Sequence, residues 1–480
     1  MWFPTFGAWL NEEMAVCESR SRKPEPHAVI VPFPVQGHIN PMMHLAHNLA
    51  SNGFIITFVN TVYNNSGTVK AHRKWSSELG EAGNERVCFR AIPDGLPEDD
   101  MRTDFARLAR VTETAMPPSL QKLIQEINDE EEHQVTCLIA DFFAPWALDV
   151  AQQFHIQTAG FWPGIIAAYA LIYHMPDLMA RGSIPSNGIP KKQEMVKYFA
   201  HMPSLCSANL PWLIGSEADK EFRFQFWLRS ISRFRHLRWI VCNSFHDLEM
   251  DIINTFPKEA GICSIGPLIP QTAQKETETE KEECLQWLDR QKRGCVIYVS
   301  FGSSVVLKEK EVEQLAEGLE ATRRPFLWVL RGVEKFLSVA YLERLRERAC
   351  MPSWVPQARV LSHPSVGCFL THCGWNSTLE SIAAGVPMLC RPCVADQFLN
   401  AAYVVDVWKI GVALKTNSEG IVGKIEIEES VQRIMSSDEV QENSRKLKKC
   451  AVDAHARNDI MVGSSSINFN VFLNAMKTNM

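Results

Sequence analysis

The sequence predicts an α/β protein with two parallel-sheet halves, and three observations lead to this prediction. The chain has 480 residues, which is more than one hydrophobic core usually organises. Short apolar runs rich in Val, Ile and Phe alternate with helical patterns, as in a parallel sheet covered by helices. A charged stretch, QTAQKETETEKEE at 271–283, interrupts this alternation. We therefore expect two α/β domains of similar size joined by that stretch.

The first predicted domain covers residues 27–270. PMMHLAHNLA predicts a helix capped by Asn40 with Pro41 in its first position, and DFARLARVTETA and ALDVAQQF predict further helices. Residues 1–26 are expected to form a loose tail, with Met14 as an alternative start. Five apolar runs predict buried strands: HAVIVPF, GFIITFVN, RVCFRAI, VTCLIAD and TAGFW.

The second predicted domain covers residues 284–460, where the same alternation restarts with ECLQWLDRQ and GCVIYVSFGSS and continues to VPMLCRP. The stretch at 271–283 is the predicted linker, and a solvated surface loop inside one domain is the alternative. Residues 461–480 predict a final helix, which we expect to pack back on the N-terminal domain.

Composition argues against several classes of partner and location. The formal net charge is −6, so neither nucleic acid nor an anionic membrane is an expected partner. The apolar segment GIIAAYALIYHM is shorter than the about 18 residues that cross a bilayer, and Glu12 and Glu13 stand where a signal peptide needs an apolar run. The 14 cysteines are scattered, which favours a reducing compartment. We expect a cytoplasmic monomer; a redox motif or half a zinc site is the alternative interpretation of the C-x-x-C at Cys390 and Cys393.

The stretch THCGWNSTLE, residues 371–380, joins a predicted strand end, a turn and a helix start. Ligands of open α/β sheets bind at the carboxyl ends of strands, where a helix N-terminus attracts phosphate. Glu380 suits a ribose diol, and Trp375 offers a flat face and an N–H to a sugar ring. Three polar side chains can add donors to the same phosphate: His372, Asn376 and Ser377.

Flanking residues extend this interpretation. Trp354 can stack on a base, and Asp396 and Gln397 can bind sugar hydroxyls. Each residue alone has an ordinary structural explanation, as a core tryptophan, a helix cap or a local hydrogen bonder. Neither half carries G-x-G-x-x-G after its first strand or a P-loop, so an NAD-dependent enzyme and a P-loop protein lose their main support.

The segment at 354–397, WVPQARVLSHPSVGCFLTHCGWNSTLESIAAGVPMLCRPCVADQ, resembles the signature box of plant UDP-dependent glycosyltransferases of family 1. The resemblance also covers PFPVQGHINP, CNSF-x-x-LE, SIGPL, ECLQWLDRQ and SFGSS. It implies the GT-B fold, with two Rossmann-like domains facing a cleft and the UDP-sugar in the C-terminal domain. The implied donor is UDP-glucose, because the box ends in Gln rather than His.

The resemblance also implies a role for each donor residue. Two positions depart from the family pattern, since Pro163 and Gly164 stand where Thr or Ser is usual for the 6-hydroxyl of the sugar. L-P-x-x-F is also lacking between WVLR and SWVPQ. The implied contacts are Trp354 with uracil; Gln357 and Glu380 with ribose; His372, Asn376 and Ser377, with Ser303 nearby, for the diphosphate; Trp375, Asp396 and Gln397 with the sugar; and Val355 and Gly374 as further donor-binding residues.

Transfer of a sugar to a hydroxyl needs a base, and histidine is the natural candidate near neutral pH. His38 follows HAVIVPF in the predicted loop VQGHINP, and Asp141 ends VTCLIAD at the same sheet edge, where it would fix the tautomer of His38. The resemblance implies the same carboxylate, and Asp149 is its rival. A metal site of His38, His44 and His47 is a further alternative, but no carboxylate or Cys completes it. The sequence also lacks D-x-D, so we expect no metal.

Together these features predict inverting, metal-independent transfer of a sugar from a UDP-sugar to a hydroxyl or carboxyl group of a small lipophilic acceptor. The resemblance implies a place in plant secondary metabolism, with no cofactor besides the donor substrate. GIIAAYALIYHM and FRFQFWL can line an acceptor pocket or form ordinary core. The alternative function is a catalytically silent UDP-sugar-binding or regulatory protein on the same fold.

Overall fold

The computed structural model describes residues 25–69, 86–130, 134–269, 283–303, 305–457 and 461–477. It contains two large parallel sheets, one in each half of the chain, which confirms the predicted fold class. The predicted tail lies outside the described residues up to residue 24. The predicted linker lies outside them up to residue 282, and its last residue, Glu283, begins a helix.

The first half folds around a seven-stranded parallel sheet. Every residue of the first and fourth strands is buried, because helices cover both faces of the sheet. All five predicted strands are present. The strands are β1 (His27–Val31), β2 (Ile55–Thr61), β3 (Val87–Ile92), β4 (Cys137–Asp141), β5 (Gln157–Trp162), β6 (Met195–Val196), β7 (Leu205–Cys206), β8 (Ile240–Cys242) and β9 (Ile262–Ser264). The sheet order is β3-β2-β1-β4-β5-β8-β9, and β6 and β7 form a separate antiparallel pair.

The helices of the first half include a short one at 62–69. The others are α1 (Gln36–Ala50), α2 (Phe105–Glu130), α3 (Trp146–Gln153), α4 (Ile166–Tyr173), α5 (Met175–Ala180), α6 (Glu217–Phe234) and α7 (His246–Ile253), with single 3₁₀ turns at Ser207–Asn209 and Lys258–Ala260.

Helix α1 begins earlier than the sequence predicts. Its first residue is Gln36 and its N-cap is Val35, so Asn40 is not a cap and Pro41 lies inside the helix. His38 therefore occupies the first helical turn rather than a loop. A proline inside a helix cannot donate to the carbonyl four residues before it, which here is that of Gly37.

Helix α2 continues beyond its predicted end, with Pro117 and Pro118 inside it. Leu120 and Ile124, which follow the prolines, are fully buried. Burial of this apolar stripe stabilises the helix across its prolines, which a local propensity rule does not anticipate.

The second half folds around a six-stranded parallel sheet in the order β12-β11-β10-β13-β14-β15. Its strands are β10 (Val296–Ser300), β11 (Phe326–Trp328), β12 (Ala349–Cys350), β13 (Val366–Thr371), β14 (Met388–Cys390) and β15 (Gly411–Ala413). Its helices are α8 (Glu283–Asp289), α9 (Glu309–Ala321), α10 (Val339–Leu345), α11 (Gln357–Ser362), α12 (Trp375–Ala384), α13 (Gln397–Ala402), α14 (Lys424–Ser436) and α15 (Asp438–Ala454), with a 3₁₀ turn at Glu334–Phe336 and a π-helical turn at Tyr403–Val407.

The last described helix, α16 (Ser464–Lys477), packs on the first sheet rather than the second. Phe472 is fully buried, and its ring lies 5.9 Å from that of Trp239. Ser465 Oγ donates to the Gly266 carbonyl at 2.6 Å. The chain therefore crosses from the first half to the second and back again.

The strand order of each sheet reverses direction at one point, where open α/β sheets bind their ligands. In the first sheet this point lies between β1 and β4, and in the second between β10 and β13. His38 follows β1 and Asp141 ends β4, whereas Ser303 follows β10 and His372 follows β13. The predicted catalytic and phosphate-binding residues thus sit at the two switch points.

Candidate functional site

His38 and Asp141 form a hydrogen-bonded pair at the carboxyl edge of the first sheet. His38 Nδ1 lies 2.8 Å from Asp141 Oδ2. The Asp141 side chain is fully buried, while that of His38 is 16% exposed. The second carboxylate oxygen of Asp141 accepts from the Phe143 N–H at 2.8 Å. Asp141 is thereby fixed as an acceptor toward Nδ1, which leaves Nε2 of a neutral His38 ring without a proton.

The rival carboxylate and the alternative metal site are not supported by the geometry. Asp149 pairs with Arg233 at 2.8 Å. Burial lowers the pKa of His44 to about 3, with a smaller contribution from His47. Among the described residues, no group of three or more His, Cys, Asp and Glu side chains is placed to hold a metal ion.

Aromatic rings surround His38. The rings of Phe33 and Phe143 meet it edge-on at 5.6 Å and 5.1 Å between centroids. Phe226, from the segment FRFQFWL, stacks on Phe143 at 6.3 Å. That segment reaches the site, whereas α4 of GIIAAYALIYHM is buried from Ile166 to Ile172 and is core.

The segment THCGWNSTLE turns from β13 into α12, as predicted. Gly374 is the N-cap of α12 and provides no side-chain cap. Cys373 has φ 62°, which reverses the chain between strand and helix. Because Gly374 has no side chain to accept from them, the first N–H groups of α12 can bind an anion. The partial positive charge of the helix end also attracts an anion.

His372 lies against two glycines in front of this helix end. A Cβ on Gly374 would lie 2.3 Å from His372 Nε2, and one on Gly302 would lie 2.7 Å from the same ring. Burial lowers the pKa of His372 to about 4, so the ring is neutral at pH 7. Its Nδ1 is buried and has no hydrogen-bond partner among the described residues. Ser303 is exposed in the turn that follows β10.

Three predicted donor residues form one hydrogen-bonded cluster. The Gln357 amide donates to Ser377 Oγ at 2.7 Å and to Glu380 Oε2 at 2.5 Å. Its Oε1 accepts from the Tyr298 hydroxyl at 3.0 Å. Burial raises the pKa of Glu380 to about 7, and the Gln357 hydrogen bond opposes the shift. Tyr298 has no signal in the sequence pattern.

The remaining donor residues differ in exposure. Trp354 is 55% exposed, whereas Val355 beside it is buried. Gln357, which opens α11, follows them after Pro356. The exposed indole of Trp354 leaves a surface on which a flat ring can stack.

Asp396 and Gln397 begin α13. Asp396 Oδ2 accepts from Asn400 Nδ2 at 2.9 Å. Burial raises the pKa of Asp396, while the Asn400 hydrogen bond and the charge of His38 lower it. The charge of His38 thus acts across the two halves on the predicted sugar-binding residue Asp396. Gln397 Oε1 accepts from the N–H groups of Cys393 and Val394 at 2.9 Å and 3.0 Å, which fixes the loop before the helix.

The Trp375 indole is turned into the contact between the two halves, and a contact of this residue with the sugar stays a prediction. The side chain is buried, and its Nε1 donates to the Asn243 carbonyl of the first half at 2.7 Å. Trp408 packs on it at 6.3 Å and donates from its own Nε1 to the Leu248 carbonyl at 3.2 Å. The indole is therefore part of the contact between the halves, while the backbone of Trp375 begins α12.

Asn376 makes a second contact between the halves. Its Nδ2 donates to the Gly37 carbonyl at 2.9 Å. That carbonyl lies four residues before Pro41, which has no N–H to give it. The proline inside α1 thus leaves an acceptor beside His38 that receives the phosphate-site residue Asn376. The sequence signal was the proline itself, which was interpreted as a helix start.

The pair Cys390 and Cys393 shows no redox or metal geometry. Cys390 is buried at the end of β14, and both cysteines are free thiols. Arg391 between them pairs with Glu311 at 2.6 Å. The two cysteines are therefore explained by packing at the end of β14.

Comparisons with known proteins agree over nearly the whole chain. Residues 267–456 match the family described as UDP-glucoronosyl and UDP-glucosyl transferase, and residues 27–152 match the N-terminal domain of glycosyltransferases. UDP-glycosyltransferases 82A1 and 83A1 of Arabidopsis thaliana are 36% and 34% identical; the alignments cover 94% and 96% of this chain and 99% and 98% of the relatives.

Solved structures of similar proteins match at the level of the fold. A Phytolacca americana UGT2, complexed with UDP-2fluoro-glucose and pterostilbene, has a TM-score of 0.80 at 26% identity, covering 94% of this chain and all of that one. A UDP-glucose:anthocyanidin 3-O-glucosyltransferase in complex with UDP has a TM-score of 0.81 at 27% identity, covering 95% and 100%. These neighbours confirm the GT-B architecture. Within the described ranges, no helix combines the length and apolarity that a bilayer crossing requires.

Proposed function

Because the chain belongs to the UDP-dependent glycosyltransferases, enzymes that move a sugar from a UDP-sugar to an acceptor, we propose the following specific reaction. Glucose passes from UDP-glucose to a hydroxyl or carboxyl group of a small lipophilic acceptor, with inversion at the anomeric carbon and without a metal. The observation that carries this proposal is the 2.8 Å contact between His38 Nδ1 and the buried Asp141 carboxylate.

His38 is the general base in this proposal. The Asp141 carboxylate holds the ring proton on Nδ1, so Nε2 can take the proton of the acceptor hydroxyl as its oxygen attacks. The ring becomes an imidazolium, which the buried negative charge stabilises at short range. The new C–O bond forms on the face opposite UDP, so an α-linked donor gives a β-linked product without a glycosyl-enzyme intermediate.

Residues of the second half stabilise the departing UDP. Negative charge grows on the diphosphate as the bond to the sugar breaks, and the uncapped start of α12 offers N–H groups and a positive helix end to it. His372 is neutral, with its pKa lowered to about 4 by burial, so it can act there as a hydrogen-bond donor rather than as a cation. Trp354, Gln357 and Glu380 remain the proposed contacts of uracil and ribose.

We propose that residues 27–270 bind the acceptor and residues 284–460 bind the donor, with 271–283 as linker and 461–480 returning to the first half. The positions of Asp141 and of α12 at the switch points of different sheets support this division. The rings around His38 support a lipophilic acceptor. Asp396 and Gln397 are the proposed sugar contacts, with Ser303, Asn376 and Ser377 at the diphosphate and Val355 and Gly374 completing the donor set.

We keep the monomeric state and a cytoplasmic location as proposals. Base and donor residues come from one chain, which supports a site complete in the monomer. The described cysteines are free thiols, which supports a reducing compartment.

The proposed reaction is tested by incubating the protein with UDP-glucose and a panel of phenols, terpenoids, steroids and carboxylates. UDP release and the product mass are measured, and the anomeric configuration of the product is read from its proton coupling. A β-linked glucoside is expected, with turnover unaffected by a chelator. An α-linked product would refute the direct displacement, and turnover lost on chelation would refute the metal independence.

A further inference from the structure

Arg223 is a largely buried cation that pairs with no carboxylate among the described residues. The residue is 8% exposed on α6. Among the described residues its guanidinium donates no hydrogen bond and has no carboxylate within ion-pair distance, and its Nε is a buried atom without a hydrogen-bond partner. Burying a charge without a counter-charge is unfavourable, and buried charges in proteins are normally paired. The geometry of Arg223 therefore calls for an anion from outside the chain.

The two nearest carboxylates are engaged elsewhere. The charges of Asp104 and Asp219 act on Arg223 from beyond contact distance, and burial lowers the pKa of Arg223 against them. Asp219 Oδ2 accepts from the Ser216 hydroxyl at 2.7 Å in the capping box of α6. Asp104 Oδ1 accepts from the Arg107 N–H at 3.1 Å before α2.

The guanidinium borders the rings that surround the proposed base. Arg223 Cζ lies 4.5 Å over the ring of Phe105. That ring contacts Phe33 at 5.0 Å and Phe143 at 5.3 Å, and these two flank His38. A continuous series of contacting aromatic rings thus connects His38 with Arg223, both in the proposed acceptor half.

We propose that Arg223 binds a carboxylate at the end of an aromatic acceptor remote from the hydroxyl that receives the sugar. This inference rests on the proposed function, and it identifies the acceptors of that reaction as hydroxylated aromatic acids. The planar fork of an arginine matches a carboxylate in two parallel hydrogen bonds, and the aromatic rings cover the body of such a molecule. Since Arg223 holds the carboxylate away from His38, the sugar is transferred to the hydroxyl oxygen, whose proton passes to His38, and the product is a glucoside rather than a glucose ester.

The test compares hydroxylated aromatic acids of increasing length with their methyl esters. For the best acid, kcat/KM is expected to exceed that of its methyl ester by about tenfold or more, because the ester cannot form the charge-assisted hydrogen bonds with Arg223. Arg223→Met should abolish this preference while leaving kcat/KM for the ester within about twofold. Arg223→Lys, which keeps the charge without the fork, should retain part of it. The Arg233→Met variant is the matched control on α6, because Arg233 already pairs with Asp149, and it should leave the preference unchanged.

Two further readouts separate binding from a merely structural role. Calorimetry in the presence of UDP should show tighter binding of the acid to the wild-type protein than to Arg223→Met, whether or not turnover occurs. The Tm of ligand-free Arg223→Met should equal or exceed that of the wild type, since an unpaired buried charge is removed; a structural contact with Phe105 would instead lower it when lost.

Equal kcat/KM for acids and esters in the wild type, or a preference that survives in Arg223→Met, would overturn the proposal. Absence of transfer to every acceptor would count against the proposed reaction, and the calorimetric comparison would still decide the role of Arg223. Glucose esters as the main products of hydroxy acids would overturn the assigned orientation.

Discussion

Replacement of Pro41 by alanine tests whether the two halves are aligned through α1. In the wild type, Pro41 cannot donate to the Gly37 carbonyl, and Asn376 Nδ2 donates to that carbonyl at 2.9 Å. Alanine restores a backbone N–H directed at the same oxygen. The substitution therefore weakens a contact between the halves without changing any side chain that we place in the site.

The magnitude follows from the hydrogen bond at stake. A typical hydrogen bond contributes a net ~0.5–1.5 kcal/mol, and 1.4 kcal/mol corresponds to a factor of about ten. We expect kcat/KM to fall about two- to tenfold, with tenfold as the upper limit because a carbonyl oxygen has a second lone pair. The free energy of unfolding should rise, because alanine is favoured over proline inside a helix by about 3 kcal/mol. About 0.4–1 kcal/mol of this gain is lost, because the unfolded chain is more flexible without the proline.

The assay is steady-state kinetics with UDP-glucose as the varied substrate, together with thermal unfolding. The expected pattern is a lower kcat/KM at an unchanged or higher Tm. Pro118→Ala is the matched control, because Pro118 also lies inside a helix, α2, and belongs to none of the contacts described for the site. It should alter Tm in the same sense and leave the kinetics unchanged.

A double-mutant comparison decides the mechanism. In an Asn376→Ala background the donor to Gly37 is already lost, so Pro41→Ala should cause no further fall in kcat/KM. An unchanged kcat/KM in the single variant, or an equal fall in both backgrounds, would refute the reasoning.

Three other predictions concern single residues. His38→Ala should lower kcat by the ~10²–10⁴-fold typical of a general base while calorimetry shows nearly intact UDP binding; unchanged turnover would remove His38 from the role. Burial raises the pKa of Glu380 to about 7, so the carboxylate form is disfavoured in the free protein below that pH. The affinity for UDP-glucose should therefore rise with pH toward 7, by about tenfold per pH unit at most, and Glu380→Gln should flatten this pH profile. An identical profile in both proteins would exclude ribose binding by the carboxylate. Trp375→Phe leaves the Asn243 carbonyl without its indole donor and should lower the free energy of unfolding by about 1–3 kcal/mol in urea titrations; no loss would show that the interface bond is dispensable.

The sequence was sufficient for features that depend on local pattern. The runs HAVIVPF and VTCLIAD are mostly apolar because both faces of their strands are buried, and such runs are easily recognised in a sequence. The turn from Thr371 to Trp375 and the helix end at Gly385, with φ 72°, likewise follow from local chemistry. Asp141 was inferred from its place at a strand end, and the structure puts it in contact with His38.

Features that depend on distant partners could not be predicted in this way. The sequence does not reveal that the Trp375 side chain is buried, because this burial depends on Asn243 and Trp408, which lie elsewhere in the chain. It predicts a helix start at Pro41, because the donor that compensates for the proline, Asn376, belongs to the other half. The pairing of Gln357 with Glu380 needs the two helices side by side before it can be seen. Each failure is a tertiary contact overriding a sound local rule.

The return of α16 to the first sheet affects how this protein folds during synthesis. Phe469, Phe472, Leu473 and Met476 complete a core that includes Ala28 and Ile30 of β1. When the ribosome has made the whole first half, Met42, Leu45 and Leu49 of α1 can already cover part of this face of the sheet. The residues of α16 that complete the core are still missing, so the rest of the apolar face stays open while the second half is made. Newly made chains should therefore depend on chaperones until residue 477 has emerged, although domains more often fold in the order of their synthesis.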